Sequence, residues 1–458
     1  MIATGRVTAL NNDYLIQKKP LNALILFALP MIVGNLFQQT YTMADSAIVG
    51  RMVGEPALAA VGASYSLTNI FICVAIGGGI GASVIVSRYF GAKEYSKMKL
   101  AVSTAFIAFL AVSLLLALFG LFFGRHIMIA LKTPSDVLDM ATDYLRIYFL
   151  GLPFLFMYNV ISSMFNALGK SRIPLCFLIF SSLFNIALDL VMVGRFGLGV
   201  AGAAWATLIA QGLSALLSFV VFLLVLKNLS CGPTSLFSFG EMCDMTRIAL
   251  PSILQQSIVS IGMMLVQSVV NGFGSQALAG FSAGMRIESI CVVPMAGIGN
   301  AISSFAAQNI GARQEKRVVE GYHAANKMVI FFSVLICLAL ECFSRPLISL
   351  FLGSDGTPDA VSTGCDYLTF MGWFFCLIGF KMAVDGLLRG AGDMKLFTVA
   401  NLVNLFIRVT VSMALAPIFG ISMVWCSIPV GWFANWAISY ARYRTGKWMK
   451  GFEHTSVI

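Results

Sequence analysis

"ALPMIVGNLFQQ" (Ala28–Gln39) returns later in the chain as "ALPSILQQSIV" (Ala249–Val259). Three further echoes follow in the same order. "PALAAVGAS" from Pro56 is matched by "QALAGFSAG" from Gln276, and "GGGIGASVIVSRYFGAK" from Gly77 by "GIGNAISSFAAQNIGAR" from Gly297. "MFNALGKSRIP" from Met164 is answered by "GLLRGAGDMKLF" from Gly386. The offset stays near 220 residues throughout, so the chain holds one unit twice. Composition makes that unit a membrane one. Of the 458 residues, 59% are hydrophobic and 11% charged, against about 25% charged in soluble globular proteins. The apolar runs each approach or exceed the roughly 20 residues that cross a bilayer as helix. Strand-length alternation is not apparent, which argues against a β-barrel.

Breaking the runs at glycine, proline and charge clusters predicts twelve helices. Their limits are about 21–50, 56–87, 97–123, 138–168, 172–194, 200–227, 246–271, 276–309, 320–344, 361–389, 395–417 and 421–441. Six spans per copy is an even number, so both copies run the same way through the membrane as a parallel repeat. The expected fold class is an all-α integral membrane protein of two six-helix lobes, residues 1–226 and 245–458. The polar stretch 227–244, "KNLSCGPTSLFSFGEMCD", joins them.

The net charge of +10 is distributed by side. The side holding both termini gathers Lys18, Lys19, Arg88, Lys93, Lys97, Lys99, Lys170, Arg172, Arg313, Lys316, Arg317, Arg389, Lys395 and the basic C-terminal tail. The opposite loops offer Arg51, Arg125, Lys132, Arg195 and Arg345. The positive-inside rule then predicts a multi-pass protein of the plasma (cytoplasmic) membrane with both termini in the cytoplasm. It also removes the reason to expect nucleic acid as a partner. The N-terminus is polar and the first apolar run, from Leu21, is too long for a signal h-region. Ten cysteines without a CxxC pair and three scattered histidines predict neither a disulfide framework nor a zinc site.

An ionisable group inside a span costs roughly 2.5–3.5 kcal/mol on insertion scales, so each needs a reason. Asp45 in helix 1 and Asp189 in helix 5 share a geometric property. Each lies six residues before the arginine at the same end of its helix, Arg51 and Arg195. Both carboxylates therefore sit roughly 9 Å below that end, at one depth. If the two helices face each other, the carboxylates share one poorly solvated site. Such a pair cannot keep both charges cheaply and is suited to holding H+ or Na+. Gln38 lies two turns below Asp45 on its face, and Asn185 one turn below Asp189. Thr207 in helix 6 reaches a similar level. A helix-end acid can instead snorkel to the interface; the matched depth and the amide partners favour the shared site.

The chain resembles the multidrug and toxic compound extrusion (MATE) transporters. The resemblance runs over nearly its whole length, in "LALPMIVGNLFQQTYTMADSAIVG", "VSRYFGAKE", "FNALGKSRIP", "AAQNIGARQ" and "LLRGAGDMK". It implies a twelve-helix antiporter with two lobes around a cleft, exchanging protons or sodium for small organic, often cationic, compounds. It implies no cofactor, and lipid as the surrounding partner of a monomer. The DinF-like branch carries a first-lobe set whose positions here are Asp45, Gln38, Asp189, Asn185, Thr207 and Tyr144. NorM-like relatives place acids in helices 7 and 10, whereas helix 7 here has none. The related alternative is a lipid or lipid-linked oligosaccharide flippase of the same superfamily.

The second lobe is not a chemical copy of the first. Near the repeat positions of Asp45 and Asp189 it has Val266 and Ser412. Lys381, Asp385 and Arg389 recur every four residues on one face, which reads as an internal ion-pair ladder. Lys381, Asp385, Arg408 and Glu288 remain candidates for substrate contact or gating. Pro30 and Pro251 occupy equivalent repeat positions, where each removes a backbone hydrogen bond and permits a bend in helices 1 and 7.

Overall fold

The structure, a computed structural model, describes residues 13–131, 133–229, 235–353 and 356–449. After a single turn at Tyr14–Gln17 come α1 (Pro20–Met52), α2 (Glu55–Gly91), α3 (Tyr95–Ala130), α4 (Ser135–Ala167), α5 (Arg172–Asp189) and α6 (Gly199–Lys227). The second half holds α7 (Phe239–Asn271), α8 (Ser275–Gly311) and α9 (Glu315–Leu352). There follow a broken helix, α10a (Pro358–Gly372) and α10b (Phe375–Ala391), then α11 (Met394–Phe419) and α12 (Ser422–Arg444). Ten of these are each long and apolar enough to cross a membrane, and the broken pair counts as an eleventh. The last, α12, carries Asn435 and Ser439, both buried where it packs on α10b and α11. That shielding makes its polar side chains tolerable in a span.

The predicted spans match these helices in number and order. Two run past their expected ends, α3 to Ala130 and α9 to Leu352, which puts Arg125 and Arg345 in helices rather than loops. Others differ as well. Helix α7 starts at Phe239, inside the expected connecting stretch, where the Glu241 N–H donates to the Ser238 Oγ at 3.4 Å and caps the first turn. Helix α10 bends by 53° across Trp373 and Phe374, a break hidden in the sequence because "GWF" is as apolar as its flanks. Helix α5 ends at Asp189 and continues as a wider π-helical turn, Leu190–Arg195. By contrast, α1 and α7 run unbroken through Pro30 and Pro251.

The internal repeat is visible in the packing. Helix α1 lies mainly on α8 and α5, while α7 lies on α2 and α11. The first helix of each half thus rests on the second helix of the other. Glycine makes both crossings close enough. A Cβ at Gly77 would stand 2.6 Å from the Ile253 backbone nitrogen, and one at Gly297 2.5 Å from Ile32 Cγ1. Gly91 likewise faces the Gln308 carbonyl, and Gly311 faces that of Arg88. Each contact is the repeat image of its partner. Small residues at helix crossings are how membrane helices gain packing when lipid supplies no hydrophobic drive.

At the end of the bundle that carries the N-terminal turn, side chains tie the halves together. Gln308 Nε2 donates to the Ala167 carbonyl at 2.7 Å, Tyr89 OH to Glu241 Oε1 at 2.7 Å, and Arg88 Nη2 to the Ala391 carbonyl at 3.3 Å. Outward faces of α3 and α9 expose Leu115, Phe122, Phe331 and Leu338, as a lipid-facing surface requires.

Candidate functional site

Helical spacing of four builds the first-half site twice over. On α1, Tyr41 and Asp45 are one turn apart on one face; on α5, Asn185 and Asp189 are. Packing of α1 on α5 turns these faces toward each other. The Asp45 and Asp189 carboxyl groups come within hydrogen-bonding reach of one another. Asp189 is fully buried and Asn185 is 2% exposed. Tyr41 and Asn185 are in contact at 2.7 Å, and Thr207 Oγ1 from α6 lies 3.3 Å from the Asn185 amide. The Tyr144 hydroxyl, from α4, is near both carboxylates.

The Asn185 amide can present either its oxygen or its nitrogen to Asp189. With its nitrogen turned to Asp189 it donates to Oδ2 at 3.0 Å, and its oxygen accepts from Thr207 Oγ1 at 3.3 Å. That orientation suits an ionised Asp189; a protonated one donates to the amide oxygen in the opposite orientation. Asp45 Oδ1 and Asp189 Oδ1 are buried and accept no hydrogen bond. Bare carboxylate oxygens out of water are costly unless they carry a proton or meet a cation. Carboxylate and hydroxyl oxygens from four helices, α1, α4, α5 and α6, gather here, a chemistry that suits a proton or a hard monovalent cation.

Five of the six first-half residues singled out in the sequence converge here: Asp45, Asp189, Asn185, Thr207 and Tyr144. Gln38 does not. It is exposed and faces a separate central cavity two turns down α1. The residue overlooked was Tyr41, although its spacing to Asp45 repeats that of Asn185 to Asp189. The π-helical turn immediately after Asp189 is the other unread feature; such turns recur at functional positions in helices.

The second-half candidates divide into two buried clusters. Lys381 Nζ lies 3.1 Å from Asp385 Oδ2 and donates to Asn401 Oδ1 at 3.3 Å, while Ser439 Oγ donates to Asp385 Oδ1 at 2.7 Å. This is an ion pair with hydrogen-bonded surroundings. The third expected rung, Arg389, feels the Asp385 charge but makes its hydrogen bonds to α8, with Asn300 Oδ1 at 2.8 Å. In the second cluster Tyr367 OH donates to Glu288 Oε2, with Arg408 close enough for charge interaction. Arg286, two residues from Glu288, faces outward. None of Lys381, Asp385, Arg408 and Glu288 lines the central cavity.

That cavity, of about 220 Å³, lies between the halves. Pro30, Asn35 and Gln38 of α1 line it together with Asn159 of α4, Asn300 of α8 and Arg389 of α10b.

The MatE family profile matches residues 30–191 and 251–414, one match in each half. The probable multidrug resistance protein YpnP of Bacillus subtilis (strain 168) is 30% identical over 433 residues, covering 94% of this chain and 96% of that protein. The multidrug export protein MepA of Staphylococcus aureus (strain MSSA476) is 23% identical over 420 residues, covering 90% and 91%. Among solved structures, an outward-facing multidrug resistance MATE family transporter has the same fold. Its TM-score is 0.88 at 22% identity, over 96% of this chain and 98% of the other. With the profile repeated along the chain at the interval of its own internal echo, and a relative at 30% identity over almost its full length, this protein belongs to the MatE family of multidrug and toxic compound extrusion transporters.

Proposed function

We propose that this protein exports small organic compounds across the cytoplasmic membrane in exchange for a cation, H+ or Na+, which binds at Asp45 and Asp189. The observation that carries the proposal is the pair itself. Two carboxyl groups from different spans meet, Asp189 fully buried and Asp45 partly so, each with a buried oxygen that accepts no hydrogen bond from the described residues. An uncompensated pair of this kind in a membrane is expensive to retain without a cation to bind. The multidrug export named for its relatives supplies the direction and substrate type.

In this reading the two halves, 1–226 and 245–458, expose the cavity to each side in turn, and both termini are cytoplasmic. Cation entry at the pair favours the conformation that releases substrate outward. A ligand shifts such an equilibrium only by its differential affinity for the two states, and the carboxylate pair, bridging α1 and α5, is where that difference arises. Dye efflux from cells expressing the wild type, Asp45→Asn or Asp189→Asn tests the assignment. Efflux falls at least about tenfold in either variant at equal membrane abundance; undiminished efflux in both would sink the assignment.

A further inference from the structure

We propose that the cavity between the halves binds an anionic group, the carboxylate or phosphate of a polar solute, anchored by Arg389. The proposal rests on the export reading above and names the substrate class of the transport path, which the family resemblance led us to expect as organic and often cationic.

The charge balance around the cavity is the first reason. Arg389 is the one charged side chain among the described residues lining it, and no carboxylate joins it there. The nearest acid on its own helix, Asp385, is paired with Lys381 at 3.1 Å and reaches Arg389 through charge alone, without a hydrogen bond. Two buried cations therefore share one buried anion, which leaves a net positive charge with Arg389 at the cavity wall. Arg389 itself is only 7% exposed. A buried cation whose counter-charge is shared is only partly compensated for its lost hydration, and an anionic ligand would complete the balance.

Donor geometry is the second. Arg389 Nε donates to Ser303 Oγ at 3.4 Å, and Nη2 to Asn300 Oδ1 at 2.8 Å and to the Gly299 carbonyl at 3.4 Å. These bonds fix the plane of the guanidinium from α8 and leave the Nη1 hydrogens without a partner among the described residues. A planar fork held from behind is the arrangement that receives carboxylate or phosphate. The remaining wall is neutral and polar, with amides such as Asn35, Gln38 and Asn159 able to serve the rest of a hydrogen-bonding solute.

Position is the third. Gln38 lines the cavity on α1, and Tyr41 and Asp45 follow at helical spacing on that face. Ligand and carboxylate pair thus touch one helix face, roughly 10 Å apart along its axis. An anion below and a cation above would act on the same helix. At about 220 Å³ the cavity suits a small anion or the anionic end of a larger compound.

The test is equilibrium binding to the purified full chain in detergent, read by fluorescence anisotropy. The probes are a zwitterionic rhodamine with a free benzoate and the same dye as its ethyl ester, which is a pure cation. The wild type binds the acid about tenfold more tightly than the ester, the worth of one charge-assisted bond. Arg389→Gln removes that preference while ester affinity stays within about twofold; Arg389→Lys keeps part of it. Equal binding of the two dyes by the wild type, or parallel weakening of both in Arg389→Gln, overturns the proposal, the latter by making Arg389 a structural tie. Competition by benzoate points to a soluble solute, and competition by phosphatidylglycerol alone to a lipid headgroup. No gradient is imposed, so the result is independent of whether the carboxylate pair drives export.

Discussion

In the proposed mechanism Asp45 and Asp189 act as one group, and their variants should behave accordingly. Each carboxyl lies within hydrogen-bonding reach of the other, so removing either destroys the site. The double variant Asp45→Asn/Asp189→Asn is therefore expected to transport no worse than either single one, a non-additivity that a double-mutant cycle on efflux rate measures directly. Tyr41→Phe is milder. It deletes a 2.7 Å contact to Asn185, worth about 1 kcal/mol, and should weaken apparent affinity for the coupling cation several-fold without unfolding the chain. Sodium- or pH-titrated transport reads that shift. At this scale the pair was legible in the sequence because its two members keep the same distance from an arginine at the same helix end. Gln38 stands where the spacing put it, two turns below Asp45 on the same face, and that separation sets it in the central cavity rather than beside the pair. Arg389 was read as part of a ladder because i,i+4 spacing shows which residues share a face, not which neighbouring helix supplies the partner.

Among elements, the crossings of α1 on α8 and α7 on α2 bear the repeat. Gly77→Val would drive a side chain into the Ile253 backbone, and Gly297→Val into Ile32. Each should lower stability by about 1–3 kcal/mol, the usual penalty of overpacking, seen as a lower melting temperature in detergent. Because Gly77 meets backbone and Gly297 meets a side chain that can turn, the first variant should suffer more. Helix number and order were readable from apolar runs and their echoes. The break at Trp373 and Phe374 and the π-helical turn after Asp189 were not, since both are set by tertiary packing of residues whose composition is unremarkable.

For the whole molecule, the structure is tied at the end bearing the N-terminal turn, where Gln308 of α8 reaches the end of α4. Gln308→Ala removes a buried 2.7 Å bond between the halves, about 1 kcal/mol, and should raise the population open at that end roughly fivefold. Labelling of a cysteine placed at Ser304, a cavity-lining residue, reports it as faster modification from that side. The two-lobe design was legible in the sequence; which end is closed depends on contacts between halves that no single repeat contains. The central claim is that a cation bound at the carboxylate pair drives export. It is tested most directly in proteoliposomes, with proton and sodium gradients imposed separately on the wild type and on Asp45→Asn. The expected result is substrate accumulation by the wild type under one of the two gradients, lost in Asp45→Asn although that variant still binds substrate. Equal gradient-driven accumulation by both proteins would contradict it.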